Sequence, residues 1–166
     1  MSGLPLTTSC ILLSGLSGTL PTPVSTRPEF LPDPRAPVVL LDARPERVTL
    51  ELQTLVPAES LEVARLNVRD GYVETAWYDP ERHRSYHHDR DIADLETTVK
   101  IRCWADPWVP GQTRLTVEPV YRPRLDASRT ERDLEVLVAS EGVGYKLAER
   151  LIAKLKAKLG TPPSAR

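Results

Sequence analysis

Two runs of alternating apolar and polar residues constrain this chain more than any other feature: Leu95–Trp104 and Gln112–Tyr121. In the first, Val99, Ile101 and Cys103 fall on one side and Lys100, Arg102 and Trp104 on the other. That period of two belongs to a strand with one face buried and one face wet. The segment between the runs, Asp106-Pro107-Trp108-Val109-Pro110-Gly111, is rich in turn residues, so the two are predicted to pair as antiparallel strands. A sheet of this kind buries its apolar face only against a second layer.

The C-terminal end supplies that layer. Leu147, Ala148, Leu151, Ile152, Leu155 and Leu159 form an apolar stripe at helical spacing, with Ser140 as the expected cap and Gly160 and Pro162 as the stop. Upstream, Val38–Leu41 is a short apolar run expected to be a buried strand. Asp42 and Pro45 then open a helix carrying Val48, Leu52 and Leu55, which Pro57 is expected to end. Leu61–Val68 and Tyr72–Tyr78 read as strands joined at Asp70-Gly71, the strongest hairpin signal in the chain, with Trp77 facing the core. Residues 79–92 are almost wholly polar and are expected to form a long loop, and Ser128-Arg129-Thr130-Glu131 reads as a capping box. The predicted order is β-α-β-β-β-β-α. It describes an α+β, helix-grip-like domain over residues 38–160, a two-layer antiparallel sheet of about five strands with the C-terminal helix packed on it. The outer sheet face is left to solvent, to the first helix or to the segment before the domain.

That segment is unusual. Many of the 16 prolines precede residue 46, and residues 21–37 read as a proline-rich tether or a strap lying on the domain, with Phe30 and Leu31 as its large apolar pair. Residues 1–20 carry an uncharged apolar stretch, far short of the roughly 20 apolar residues of a membrane span. They resemble an eroded export signal without a positive start. Thr8-Ser9-Cys10 and Leu13-Ser14-Gly15 are fragments of a lipobox, but Thr7 stands where Leu belongs in the first and Leu16 replaces Cys in the second. The reading is a cell-envelope or periplasmic location, with a cytoplasmic tail as the alternative. Residues 161–166 read as a disordered tail.

Charge selects no partner. Lys and Arg total 22 against 23 Asp and Glu, so no overall field draws the protein to nucleic acid or to an anionic membrane. Lys146, Arg150, Lys154, Lys156 and Lys158 read as the wet side of the last helix. Cys10 and Cys103 make no disulfide framework, and Cys103 reads as a small buried hydrophobe.

No catalytic motif emerges, and no cofactor is implied. His83, His87 and His88, with nearby Asp79, Asp89 and Asp91, are metal-capable, but a solvated loop supplies no rigid coordination by itself. Gly142-Val143-Gly144 is a lone G-x-G better suited to close packing than to anion binding. Trp104 and Trp108, flanking an Asp-Pro turn, together with Tyr121 are the candidate contact surface, since aromatics near exposed turns are enriched at interfaces.

Gly71-Tyr-Val-Glu-Thr-Ala-Trp-Tyr-Asp79, Val99-Lys-Ile-Arg-Cys-Trp-Ala-Asp106 and Arg132-Asp-Leu-Glu135 resemble uncharacterised bacterial envelope lipoproteins. These are similar in turn to the helix-grip domains of the outer-membrane assembly lipoprotein BamC. The resemblance covers residues 38–158 and implies a non-enzymatic accessory role near the outer membrane, with no site residues carried over. The expectation is an envelope-associated binding or scaffolding module with an unidentified protein partner. A carrier of small apolar ligands, with a pocket between sheet and helix, is the alternative, and metal binding through the histidine loop is a weaker one.

Overall fold

A computed structural model describes residues 27–162 except 89, 90 and 93. The export-signal segment, the first part of the tether and residues 163–166 of the tail lie outside the described residues. In chain order the elements are β1 (Val38–Leu41), α1 (Pro45–Ala58), β2 (Val63–Asn67), β3 (Tyr72–Thr75) and β4 (Trp77–Asp79). They continue with β5 (Arg84–Tyr86), β6 (Val99–Pro107), β7 (Thr113–Tyr121), α2 (Glu131–Leu134), β8 (Val136–Leu137) and α3 (Val143–Leu159). The sheet runs β1-β7-β6-β3-β2, with β4 and β5 continuing from β6 and β8 added to β7, and every pairing is antiparallel.

The long hairpin expected from the alternation is the centre of this sheet. β6 and β7 pair over nine positions without a register break, from Val99 opposite Tyr121 to Pro107 opposite Thr113. Their inner face presents Val99, Ile101, Cys103, Leu115 and Val117. α1 meets it with Val48, Leu52, Leu55 and Val56, and α3 with the predicted stripe of Leu147, Ala148, Leu151 and Leu155. Fully burying a side chain such as Leu151 contributes about 1.5–3 kcal/mol, so the two helices and this face carry most of the apolar stabilisation. The protein is therefore an α+β fold, an open antiparallel sheet with its C-terminal helix packed on one side. Among the described residues no helix is long and apolar enough to cross a membrane.

Several local expectations are corrected. β1 is not buried on both faces: Val39 and Leu41 are buried and Val38 and Leu40 exposed, because β1 lies at the sheet edge and only its inner face is covered. Helix α1 runs through Pro57 to Ala58. At the last turn the proline removes a single donor, and Glu59 N closes the helix on Leu55 O and Val56 O. The run Tyr72–Tyr78 splits at Ala76, whose N–H bonds Glu62 O while the Thr75 hydroxyl accepts from Ile101 N. That break reverses the alternation. Tyr78 enters the main core, while Trp77 packs in a separate cluster with Tyr86 and Val120.

The polar stretch after Asp79 contains a strand, β5, because the buried Asp79 carboxylate gathers the N–H groups of Glu81 and Arg82 and turns the chain back. The cap of α2 is Thr130, which bonds Asp133, two residues beyond the expected Ser128. The cap of α3 is Gly142 and not Ser140, whose hydroxyl bonds Glu141. Gly142 and Gly144 both sit against Val138, and a Cβ on Gly144 would lie 2.9 Å from Val99 Cγ1, so the G-x-G serves close packing.

Candidate functional site

The outer sheet face is where the sequence left most open. Strand register sets residues of opposite charge side by side: Glu74 on β3 is opposite Arg102 on β6, which is opposite Glu118 on β7. Cross-strand neighbours of this kind attract. The next row is Tyr72, Trp104 and Thr116. This face, for which solvent, the first helix and the segment before the domain were all open as covers, is sealed, with Glu118 and Trp104 fully buried and Arg102 only 3% exposed.

Two segments seal it. After β7 the chain returns over the sheet through α2 and β8, bringing Glu131, Arg132 and Glu135 onto the charged row. Arg102 reaches Glu74 at 3.1 Å and Glu135 at 2.6 Å, and Arg132 grips both carboxylate oxygens of Glu118 at 2.9 and 3.0 Å. Lys100 lies 3.6 Å from Glu74, bonds Glu131 and stands over the Trp77 ring. The second segment is the proline-rich one, residues 27–37, which lies across the sheet as a strap. Its Phe30 ring sits 5.2 Å from the Arg102 guanidinium and 4.6 Å from that of Arg132, and it makes a T-shaped contact with Trp104. Leu31, the other member of the expected docking pair, is 81% exposed.

Electrostatics favour the charged forms of Glu74 and Arg102. Burial alone would raise the Glu74 carboxyl, but Lys100, the Tyr72 hydroxyl and Arg102 outweigh it and hold the group below its ordinary range. Burial, with the neighbouring Glu74 carboxylate, pushes the Tyr72 hydroxyl up, so Tyr72 remains a donor to Glu74. Burial also disfavours the Arg102 cation, yet Glu135 and Glu74 more than compensate and raise it. Removing charges from water costs several kcal/mol per ion, which mutual attraction returns only when the geometry is good. The arrangement acts as a charged latch that joins sheet, strap and the α2–β8 segment.

Trp104, Trp108 and Tyr121 do not form one surface. Trp104 is buried under the strap against Phe30 and Tyr72, so it is unavailable as an exposed contact. Tyr121 is half-buried against the main core at one end of β7, while Trp108 follows Pro107 at the other end of the hairpin. Those ends are about 27 Å apart at the rise of an extended strand. Trp108 alone has the expected character: it is 54% exposed on the turn, beside exposed Val109. It stands at a cleft of about 750 Å³ whose walls include Arg27, Arg44, Arg69, Gly71 and Pro110. The wall at Gly71 depends on glycine, since φ is +64° and a Cβ would lie 2.2 Å from Ala105 O.

The histidines are separated by their partners. His83 Nδ1 is 3.1 Å from the Tyr78 hydroxyl, His87 Nε2 is 2.9 Å from Glu62, and His88 is exposed. Among the described residues no group of three or more His, Cys, Asp or Glu side chains is placed to hold a metal ion. Cys103 lies in the main core, where burial pushes its thiol up to about 12. A second cavity of about 490 Å³ opens at the start of α3, with Val99, Tyr121, Val138 and Val143 among its walls.

The sequence reading missed the latch residues Glu74, Glu118, Glu131, Arg132 and Glu135. A signal was present: opposite charges at matched positions on neighbouring strands. Only the register reveals that they meet. No protein-family model matches the chain, and no curated protein matches it either. The fold defines a two-layer α+β protein.

Proposed function

We propose that this protein is a non-enzymatic binding or scaffolding module of the cell envelope that recognises a protein partner through the tip of the β6–β7 hairpin. The observation that carries the reading is Trp108, a half-exposed aromatic anchor held at the mouth of the 750 Å³ cleft by a hairpin paired without interruption. Rigid placement reduces the ordering cost of association, and tryptophan dominates many interfaces. The envelope location rests on the eroded export signal and on the resemblance to envelope lipoproteins. Mass spectrometry of the native N-terminus together with cell fractionation tests it.

A photo-crosslinking residue placed at position 108 in cells is expected to give a discrete adduct. The same residue at exposed Leu50 on α1 should give none. Absence of the adduct at 108, or equal adducts at both positions, would overturn the reading.

A second reading, a carrier of small apolar ligands, is favoured by the 490 Å³ cavity at the junction of sheet and α3. Native mass spectrometry of freshly isolated protein tests it. A copurifying apolar molecule is expected, and its absence, with no uptake of an added fatty acid, rejects the carrier.

A further inference from the structure

The strap suggests a second interaction surface, adjoining the Trp108 cleft to whose wall its Arg27 contributes. We propose that residues 27–36 are a displaceable lid, and that the groove they fill on the outer sheet face receives an extended, proline-containing segment of a partner protein with one aromatic side chain.

Three observations carry this. The strap is held at Phe30, at Arg27, which pairs with Asp106 at 2.7 Å and donates to Asp70 O, and by single bonds between its main chain and side chains, without strand pairing to the sheet beneath: Asp33 N donates to Glu118 and Leu31 O accepts from Arg132. It joins the body at buried Ala36 and at Pro37, whose carbonyl accepts from Val117 N, which makes that point the hinge. What lies below is largely charged, with Trp104 and Tyr72 as the aromatic exceptions, and so tolerates exposure better than the helix-covered face. Arg102 keeps Glu74 and Glu135, and Arg132 keeps Glu118, when the strap lifts, and water solvates ions it reaches. Finally, the indole N–H of Trp104 is buried beside Phe30 without a hydrogen-bond partner among the described residues. A buried orphan donor is costly, and a ligand carbonyl at this place would satisfy it.

The strap shows what the groove accepts. A ring fits against two guanidiniums, as cation–π attraction favours. One residue beyond the ring, a carbonyl meets Arg132, and three residues beyond it a backbone N–H meets Glu118. Proline keeps such a segment extended before binding.

The probe is a fluorescein-labelled peptide of residues 27–37, added to the full chain carrying Phe30→Ala and to the wild type, with anisotropy as the readout. Saturable binding to Phe30→Ala is expected, at least about tenfold weaker on the wild type because the tethered strap competes at high local concentration. Binding should vanish when the peptide phenylalanine becomes alanine. No saturable binding to a Phe30→Ala chain that circular dichroism shows to be folded, or equal affinity for both chains, overturns the proposal. Should Phe30→Ala not fold, hydrogen exchange on the wild type decides. Amides of residues 29–36 are expected to open at least about a hundredfold more often than those of β6, and joint exchange in one global event overturns the lid. A reversible wild-type dimer lost in Phe30→Ala would assign the groove to the strap of a second copy and overturn the partner-protein assignment.

Discussion

Replacing Arg102 by methionine tests the charged latch most directly. The Arg102 side chain is 4% exposed and touches three carboxylates: Glu74 at 3.1 Å, Glu135 at 2.6 Å and Glu118 at 3.5 Å. Methionine fills similar volume, so the change removes mainly charge and hydrogen bonds. Glu135 is then left with Arg132 at 3.6 Å, and Glu74 with Lys100 at 3.6 Å, Arg65 at 3.9 Å and the Tyr72 hydroxyl. Breaking a buried ion pair from one side typically costs about 3–5 kcal/mol, a large share of the roughly 5–15 kcal/mol that holds a domain folded.

The cost should depend on pH. The folded-state value of Glu74 is depressed, so its contribution is complete above the unfolded value of about 4.5 and is lost as pH falls through the lower folded value. In the variant the Glu74 carboxyl loses one of the cations that hold it down and protonates earlier, which relieves its burial. Urea unfolding followed by circular dichroism should therefore show the deficit at about pH 7 and a clearly smaller one at about pH 4. Adding Glu135→Leu should recover part of the loss, because one of the stranded carboxylates is removed. A deficit below about 1 kcal/mol at neutral pH, or one of equal size at both pH values, would refute the latch and show that these charges behave as solvated ones.

Other outcomes follow from single positions. Gly71→Ala should cost more than about 2 kcal/mol in urea unfolding, since a Cβ would lie 2.2 Å from Ala105 O and φ is +64°; a neutral result would mean that the hairpin relaxes without penalty. Leu151→Ala, at a fully buried position facing the sheet, should cost about 2–5 kcal/mol, whereas Lys154→Ala on the same helix should stay within about 1 kcal/mol. Alkylation read by peptide mass spectrometry should leave Cys103 unmodified in the native protein and modify it after denaturation, as its buried thiol requires. Labelling of native Cys103 would contradict the packing of the inner sheet face.

The features that proved legible in the sequence were those whose signal is periodic and local. Val99, Ile101 and Cys103 alternate against charged neighbours, and Leu147, Ala148, Leu151 and Leu155 recur at helical spacing. Each pattern states which side of its element must be buried, and a sheet and a helix with one apolar side each have few ways to meet. Trp77 was misplaced because one irregular residue, Ala76, shifts the alternation, and no composition signal marks such a break. The strand at Arg84–Tyr86 was hidden because a short polar segment has no apolar period; the Asp79 turn and pairing with β4 make it a strand.

The candidate sites divide along the same line. The exposure of Trp108 was legible because a turn leaves its residues in solvent. Trp104 was not. Its alternation with Cys103 said only that it points away from the core, and it became buried because Phe30, far away in sequence, lies over it.

The sequence by itself determined the two-layer α+β architecture, the central hairpin and the helix stripe that packs on it, since burying apolar surface at a fixed period leaves little freedom. Tertiary structure alone decided that the second sheet face is closed by a strap and a charged latch. Whether a lysine, arginine or glutamate is wet or buried depends on which distant charges reach it. That is fixed by strand register and by chain segments crossing overhead, not by its neighbours in sequence.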